Sequence, residues 1–311
     1  MDKDNNIMSV SVQDLEKMWG ENLSPYLVKK VSEYDLKYAI LNDVERDNCL
    51  KRIVSTLLDK DLVFSGEHRH EQWNKGWGEN LDNFIGSKDE KNVVPKYFGK
   101  YDVLRLKQKF IKPLSDKFEV NSLYIIQDWL FDKYFRNINN IYEFGCGTGH
   151  NLMRVREVNP TANLWGLDWA DSSQKIIDAM RADGVDANIY SHNFDFFKPD
   201  YDFKIEKDSA IYTVAALEQI GDKHGEFINY LRQNKPQLCV HVEPIGELLD
   251  QDNLLDYLSV EYFKKRNYLN GYLDKLKEME SNGEIKILCA KRSYIGSMFI
   301  DGYSVIVWHF V

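Results

Sequence analysis

The chain has 311 residues, 43% hydrophobic and 13% aromatic, enough for one large core with an appended region or for two modest domains. Its 49 acidic against 40 basic residues give a formal charge of -9, which argues against non-specific nucleic-acid binding as its main task. Cys49, Cys146, Cys239 and Cys289 are scattered with no C-x-x-C spacing, so neither a zinc site nor a disulfide framework is expected.

The start, MDKDNNIMSV, reads as a loose polar tail without the basic and apolar parts of a signal peptide. No run approaches the ~20 apolar residues of a membrane span, so a cytoplasmic protein with reduced thiols and no membrane partner is expected. Ser11 with Asp14 three places on, and the Ser24-Pro25 pair, are helix-start signals. Asp43 to Leu58 carries apolar residues at mixed three- and four-residue spacing and predicts an amphipathic helix. Val63 to Gly99 is rich in Gly, Asn, Trp and charge with poor periodicity, and reads mostly as loop. Its His68 and His70 lack a clear third ligand, so no metal is expected; Trp73 and Trp77, four apart, suit core packing or a pocket wall.

Lys91 to Lys117 reverses the local charge, with eight basic residues against Asp102 and Asp116. Arg105, Lys109 and Lys112 fall at helical spacing, so a helix here would present a cationic stripe, either a solvated face or a clamp for a substrate phosphate or carboxylate. Arg105 is the preferred contact because a guanidinium binds such groups bidentately, with Lys109 beside it. Asn121 to Phe135 predicts a helix leading to the first strand of a new pattern. A boundary is placed there, with 1–139 as a mostly helical lid and substrate region and 140–311 as the ligand-binding domain.

From Asn140 strands and helices alternate, which predicts an α/β fold, a mainly parallel sheet with helices on both faces. Strands are read at 141–144, 163–167, 187–190, 209–214, 237–242, 285–290 and 303–310, with one long helix over 254–279. The first strand ends in Glu143 and runs into Gly145, Gly147 and Gly149, where missing Cβ atoms let backbone approach a ligand. The second ends in Asp168, nineteen residues past Gly149, followed by Trp169, which is placed to lie against a flat purine. His150 stands where the dinucleotide fingerprint G-x-G-x-x-G wants glycine or alanine, which disfavours a nicotinamide oxidoreductase.

The run IYEFGCGTGHNLMR with NLWGLD resembles the class I S-adenosylmethionine-dependent methyltransferases, over about Asn140 to Val311. The resemblance implies a Rossmann-like seven-stranded sheet with an antiparallel last strand. It implies S-adenosyl-L-methionine as cofactor, with the glycine loop along the methionine part, Glu143 toward its ammonium and Asp168 on the ribose hydroxyls. At the adenine edge stand Asn193, or Asp195 if the loop is shifted, with Phe194 between them. The D/N-P-P-Y/F and Pro-Cys signatures of nucleic-acid methyltransferases are absent, which points to a small-molecule acceptor, with oxygen preferred.

His241 and Glu243 share a strand face where substrate should arrive; His241 is the candidate base, and Glu243 a candidate base or substrate contact. A histidine hydrogen-bonded at a strand end is the competing reading of His241. The runs HVEPIGELLD and YLNGYLDKL also resemble bacterial methyltransferases of capsule or surface-polysaccharide pathways. With the basic stretch, that favours a sugar, nucleotide-sugar or phosphate-bearing acceptor. A non-catalytic binding or scaffold protein is the alternative from another class, and no feature specifies an oligomeric state.

Overall fold

The computed structural model describes residues 7–311; the first six, part of the expected loose tail, lie outside the described residues. Local signals near the start act as read. Ser11 and Asp14 form a reciprocal capping box for α1 (Val12–Trp19), and Ser24 caps α2 (Pro25–Glu33) with proline in its first turn. Two short strands, β1 (Ile7–Ser9) and β2 (Lys37–Ile40), pair antiparallel, so the expected tail contributes a strand from Ile7 onward. α3 (Asp43–Leu58) follows behind an Asn42–Glu45 capping box.

Two expectations for the N-terminal region are corrected. The presumed loop contains an 18-residue helix, α4 (His70–Ser87), despite three internal glycines. Tertiary packing on α7, introduced below, overrides the low intrinsic propensity. The presumed cationic helix is instead a hairpin, β3 (Leu104–Leu106) and β4 (Lys109–Pro113), turned by Lys107 and Gln108 at φ 52° and 57°. α5 (Phe118–Tyr134) then runs beneath the main sheet with most of its length buried.

The main sheet begins with β5 (Asn140–Phe144), α6 (His150–Val158), β6 (Asn163–Asp168), α7 (Asp171–Ala182) and β7 (Ile189–Asn193). It continues through β8 (Ser209–Val214), α8 (Gly225–Asn234) and β9 (Leu238–Glu243). The single helix expected over 254–279 is two, α9 (Leu254–Arg266) and α10 (Tyr272–Ser281), broken where Asn267 and Gly271 take left-handed φ of 52° and 71°. β10 (Ile285–Lys291), β11 (Ile295–Ser297) and β12 (Ser304–Phe310) close the chain.

The seven-stranded order is β10-β12-β9-β8-β5-β6-β7; β12 is antiparallel to both its neighbours, and the five strands from β9 to β7 pair in parallel. Every residue of β8 and β9 is buried, as central strands covered on both faces require. One core cluster packs the sheet on α5, α6 and α7 through Leu130, Leu152 and Ile177. The other packs it on α8 and α10 through Phe227, Leu273 and Leu276. Strand order reverses between β5 and β8, where ligands of open α/β sheets bind.

A second, five-stranded antiparallel sheet has the order β1-β2-β4-β3-β11. Its last strand comes from near the C-terminus, with Leu104, Arg105 and Leu106 paired to Ser297, Gly296 and Ile295. The small sheet thus crosses residue 139, while the first part is built mostly of the helices α1 to α5. Among the described residues no helix is long and apolar enough to cross a membrane.

Candidate functional site

The turn after β5 is pinned to the end of β6, because the Gly145 and Cys146 amides both donate to the Leu167 carbonyl, at 2.7 and 3.0 Å. Gly145 sits at φ 73°, and a Cβ there would lie 2.3 Å from the Cβ of Ala216, so the turn packs directly against the side chain of Ala216 in the loop after β8. Gly147, at φ 54°, would press a Cβ to 3.0 Å from the Trp77 ring. Its amide donates to Asp168 Oδ2 at 2.9 Å, while Ala170 N–H donates to Oδ1, also at 2.9 Å. Burial pushes the Asp168 carboxyl up to about 6, against the lowering effect of these two amides.

α4 lies across this turn. Asn74 receives the Ser172 amide at 3.0 Å, Ser172 Oγ donates to the Asn74 carbonyl at 2.8 Å, and His70 Nε2 meets the Trp169 carbonyl at 3.0 Å. Lys88 pairs with Asp183 at the far end. Trp73 and Trp77 stack with centroids 5.3 Å apart and form a roof, so the pocket-wall reading describes them. Beneath them a narrow cavity of about 70 Å³ is lined by Asp168, Trp169, Phe194, Phe197 and Ala216. Trp169 stacks on Phe197 at 5.9 Å, giving the slot aromatic walls.

A larger cavity of about 570 Å³ shares Gly145, Trp73, Trp77 and Gln219 with the slot. Its floor is Cys146, Gly147, Thr148, His150 and Asn151. Tyr97, Phe98, Tyr101, Tyr262, Tyr268, Phe299 and Tyr303 supply aromatic wall; the charged lining is Arg69, Lys96, Lys100 and Arg266 against Glu79, Glu119 and Glu218. Thr148 Oγ1 and His150 Nε2 are buried without a hydrogen-bond partner among the described residues, beside the first turn of α6. Burial drives the His150 imidazole down to about 3, with Arg154 adding to the effect, so it is neutral. Two unused polar atoms at a helix N-terminus suit an anionic or polar ligand group.

The sequence-selected residues divide. Gly145, Gly147, Asp168, Trp169 and Phe194 line the two cavities, whereas Gly149 packs against Ile177 behind the turn. Glu143 is fully buried one layer below, accepting from Asn151 Nδ2 at 2.6 Å and from the Tyr212 hydroxyl at 3.0 Å. It lines neither cavity, so Asn151 stands between it and any ligand. Asn193 donates to the Trp169 carbonyl at 3.0 Å and also lines neither; Asp195 caps its own turn through the Phe197 amide.

His241 is a correction. It lies inside the sheet, fully buried, between the Thr213 hydroxyl and the Tyr272 hydroxyl at 3.0 Å each, and burial takes its pKa down to about 3. Strand alternation does place His241 and Glu243 on one face, but α10 covers that face with Tyr272. Glu243 is likewise no substrate contact: it is fully buried and accepts the Ala216, Leu217 and Glu218 amides at 3.0, 3.1 and 3.2 Å. It shapes the loop after β8.

Arg105 is the second correction. It is 3% exposed and donates to the carbonyls of Met298, Leu255 and Phe299 at 3.0, 2.5 and 2.8 Å and to Ser259 Oγ at 2.6 Å. Every side of the fork is used internally, so no substrate clamp is available. Lys109 is exposed on β4 and lines neither cavity. No cluster of potential metal ligands occurs among the described residues. The cationic side chains in the cavity are Arg69, Lys96, Lys100 and Arg266; Lys96 and Lys100 belong to the basic stretch 91–117, whereas Arg69 and Arg266 were not singled out in the sequence.

No family model matches this sequence, and no curated protein matches it. Similar solved structures include a geranyl diphosphate methyltransferase in complex with GPP and sinefungin, at 12% identity and TM-score 0.48, covering 79% of this chain and 98% of that one. Human N-acetylserotonin methyltransferase in complex with SAM shows 12% identity and TM-score 0.45, over 96% of this chain and 74% of that one. The [4+2]-cyclase SpnF shows 12% identity and TM-score 0.45, over 60% and 81%. At these identities the likeness concerns the course of the chain and not its chemistry.

Proposed function

We propose that this chain is an S-adenosylmethionine-dependent methyltransferase acting on an oxygen of a small-molecule acceptor. The observation that carries the reading is the continuity of the site: a Cβ-free turn and the Asp168–Trp169 slot adjoin one larger cavity with room for a second molecule, and two buried polar atoms of its floor residues have no partner among the described residues. The residues fit the cofactor. The slot between Trp73, Trp77, Trp169 and Phe197 suits its purine, and Asp168 beside it suits the ribose. Thr148 Oγ1 and His150 Nε2 suit its carboxylate, while Asn151, held by Glu143, lies on the cavity floor toward its ammonium.

When bound, S-adenosylmethionine supplies an electrophilic methyl group. The chain's contribution is to orient both reactants and exclude water beneath α4, and orientation accounts for much of the rate of an in-line displacement. An acidic group on the acceptor has Arg69 and Arg266 to meet, in place of Arg105. No residue in the cavity speaks for a capsule or surface-polysaccharide setting.

The test is thermal unfolding with S-adenosylhomocysteine, for the parent and for Asp168→Ala. Ligand at a hundredfold above its dissociation constant adds about 2.7 kcal/mol, and the variant loses at least tenfold in affinity. No shift in the parent at any concentration refutes the reading and favours a scaffold role.

A further inference from the structure

Glu218 is the one carboxylate of the loop after β8 that lines the large cavity, facing the same space as Gly145 and Ala215. Its backbone is fixed from behind by Glu243, which gathers three successive amides of residues 216–218, and from below by Ala216 against Gly145. Ala215 takes a left-handed φ of 49°, a strained turn that aims the following residues into the cavity. Gln219 Nε2 donates to Glu218 Oε1 at 2.8 Å; Oε2 has no hydrogen-bond partner among the described residues. Arg69 reaches Gln219 Oε1 at 3.4 Å and lies over the Trp73 ring, and Arg266 lies over Tyr268 and donates to the Tyr262 hydroxyl at 3.1 Å. Arg266 Nε is buried and unpartnered.

Resting on the methyltransferase reading, we infer that Glu218 is the catalytic base, and that the acceptor is a flat, hydroxylated ring carrying an acidic group. An oxygen already ionised, such as a phosphate, needs no base where the methyl arrives. A carboxylate with one free oxygen at that place calls for a neutral hydroxyl. Glu218 Oε2 takes the hydroxyl proton as the new O–CH₃ bond forms and the S–CH₃ bond breaks, its electron pair remaining on sulfur. The products are a methyl ether, S-adenosylhomocysteine and protonated Glu218. The aromatic walls provide stacking faces for the ring, and the Arg69 and Arg266 guanidiniums in the same lining provide positive charge for the acidic group. Glu243 acts as a positioning residue through the loop amides.

The experiment uses the full chain, wild type and Glu218→Gln, with Glu218→Asp as the conservative variant. Salicylate, catechol and naphthol serve as hydroxyl-bearing probes and glucose phosphate as the contrast. Binding is followed by quenching of tryptophan fluorescence in the presence of S-adenosylhomocysteine, and turnover with S-adenosylmethionine. Expected are salicylate bound more tightly than naphthol and methyl transfer to a ring hydroxyl. Glu218→Gln should lower kcat about 10² to 10⁴-fold with unchanged cofactor affinity and no rising limb in the pH profile, and Glu218→Asp should restore part of the rate. Glu218→Gln with wild-type kcat overturns the proposal. So does a protein that binds S-adenosylhomocysteine but neither binds nor methylates any ring probe, or that methylates only glucose phosphate. Failure to bind S-adenosylhomocysteine at all instead overturns the cofactor reading beneath it.

Discussion

Glu143 makes a stability prediction that needs neither cofactor nor acceptor. Its carboxyl is fully buried, with one oxygen accepting from Asn151 and the other from Tyr212. Burial dominates, and the pKa rises from the usual 4.5 to about 8 despite those two donors. Between these values the folded protein keeps a proton that the unfolded chain releases, so stability falls as pH rises from about 4.5 to about 8. At 1.36 kcal/mol per pKa unit, the loss attributable to this one group is about 3 to 5 kcal/mol. Glu143→Gln keeps the shape, accepts from Asn151 through its amide oxygen and donates to the Tyr212 hydroxyl, and has nothing to titrate. Urea unfolding of both proteins across this pH range should show similar stability near pH 5. The wild type should fall below the variant by that margin above pH 8. Curves that stay parallel would refute the argument, since they would mean that Glu143 titrates normally in the folded state.

Gly147→Ala combines a left-handed φ with a Cβ at 3.0 Å from Trp77, and is expected to cost about 1 to 2 kcal/mol and abolish the thermal shift by S-adenosylhomocysteine. Adding Trp77→Ala should recover part of the stability and not the ligand response, which differential scanning calorimetry separates. Arg105→Ala strips four hydrogen-bond acceptors of their donor and should lower stability by about 3 to 5 kcal/mol in urea titrations. A variant of normal stability with selectively lost turnover would return Arg105 to the substrate.

What was legible in the sequence follows the physics of each segment. In β8, SAIYTV has no alternation because both faces are covered, and the apolar run itself marks the bounds of the strand, 209–214. The glycines and Asp168 were readable because a tight turn and a strand-end acid leave few residue choices. The N-terminal layer was not. Arg105, Lys109 and Lys112 mimic a helical stripe, yet Lys109 and Lys112 are simply the exposed positions of a short strand, and Arg105 on the neighbouring strand is buried in the protein. α4 carries Gly76, Gly78 and Gly86 and becomes helical through its docking on α7, information that no local window contains. His241 and Glu243 failed for a related reason: period two gives the face of a strand, but only the tertiary structure says that Tyr272 covers it.

The pairing of β3 with β11 ties the cover of the cavity to the last stretch of the chain. Leu104 meets Ser297, and Arg105 ends on Met298 and Phe299, so during synthesis the early sheet holds an open edge and an unpaired guanidinium until residues 295–299 have emerged. A nick a few residues before Ile295 would loosen the strand that carries Phe299 against Tyr101 in the cavity wall, far away in sequence from the glycine turn it faces.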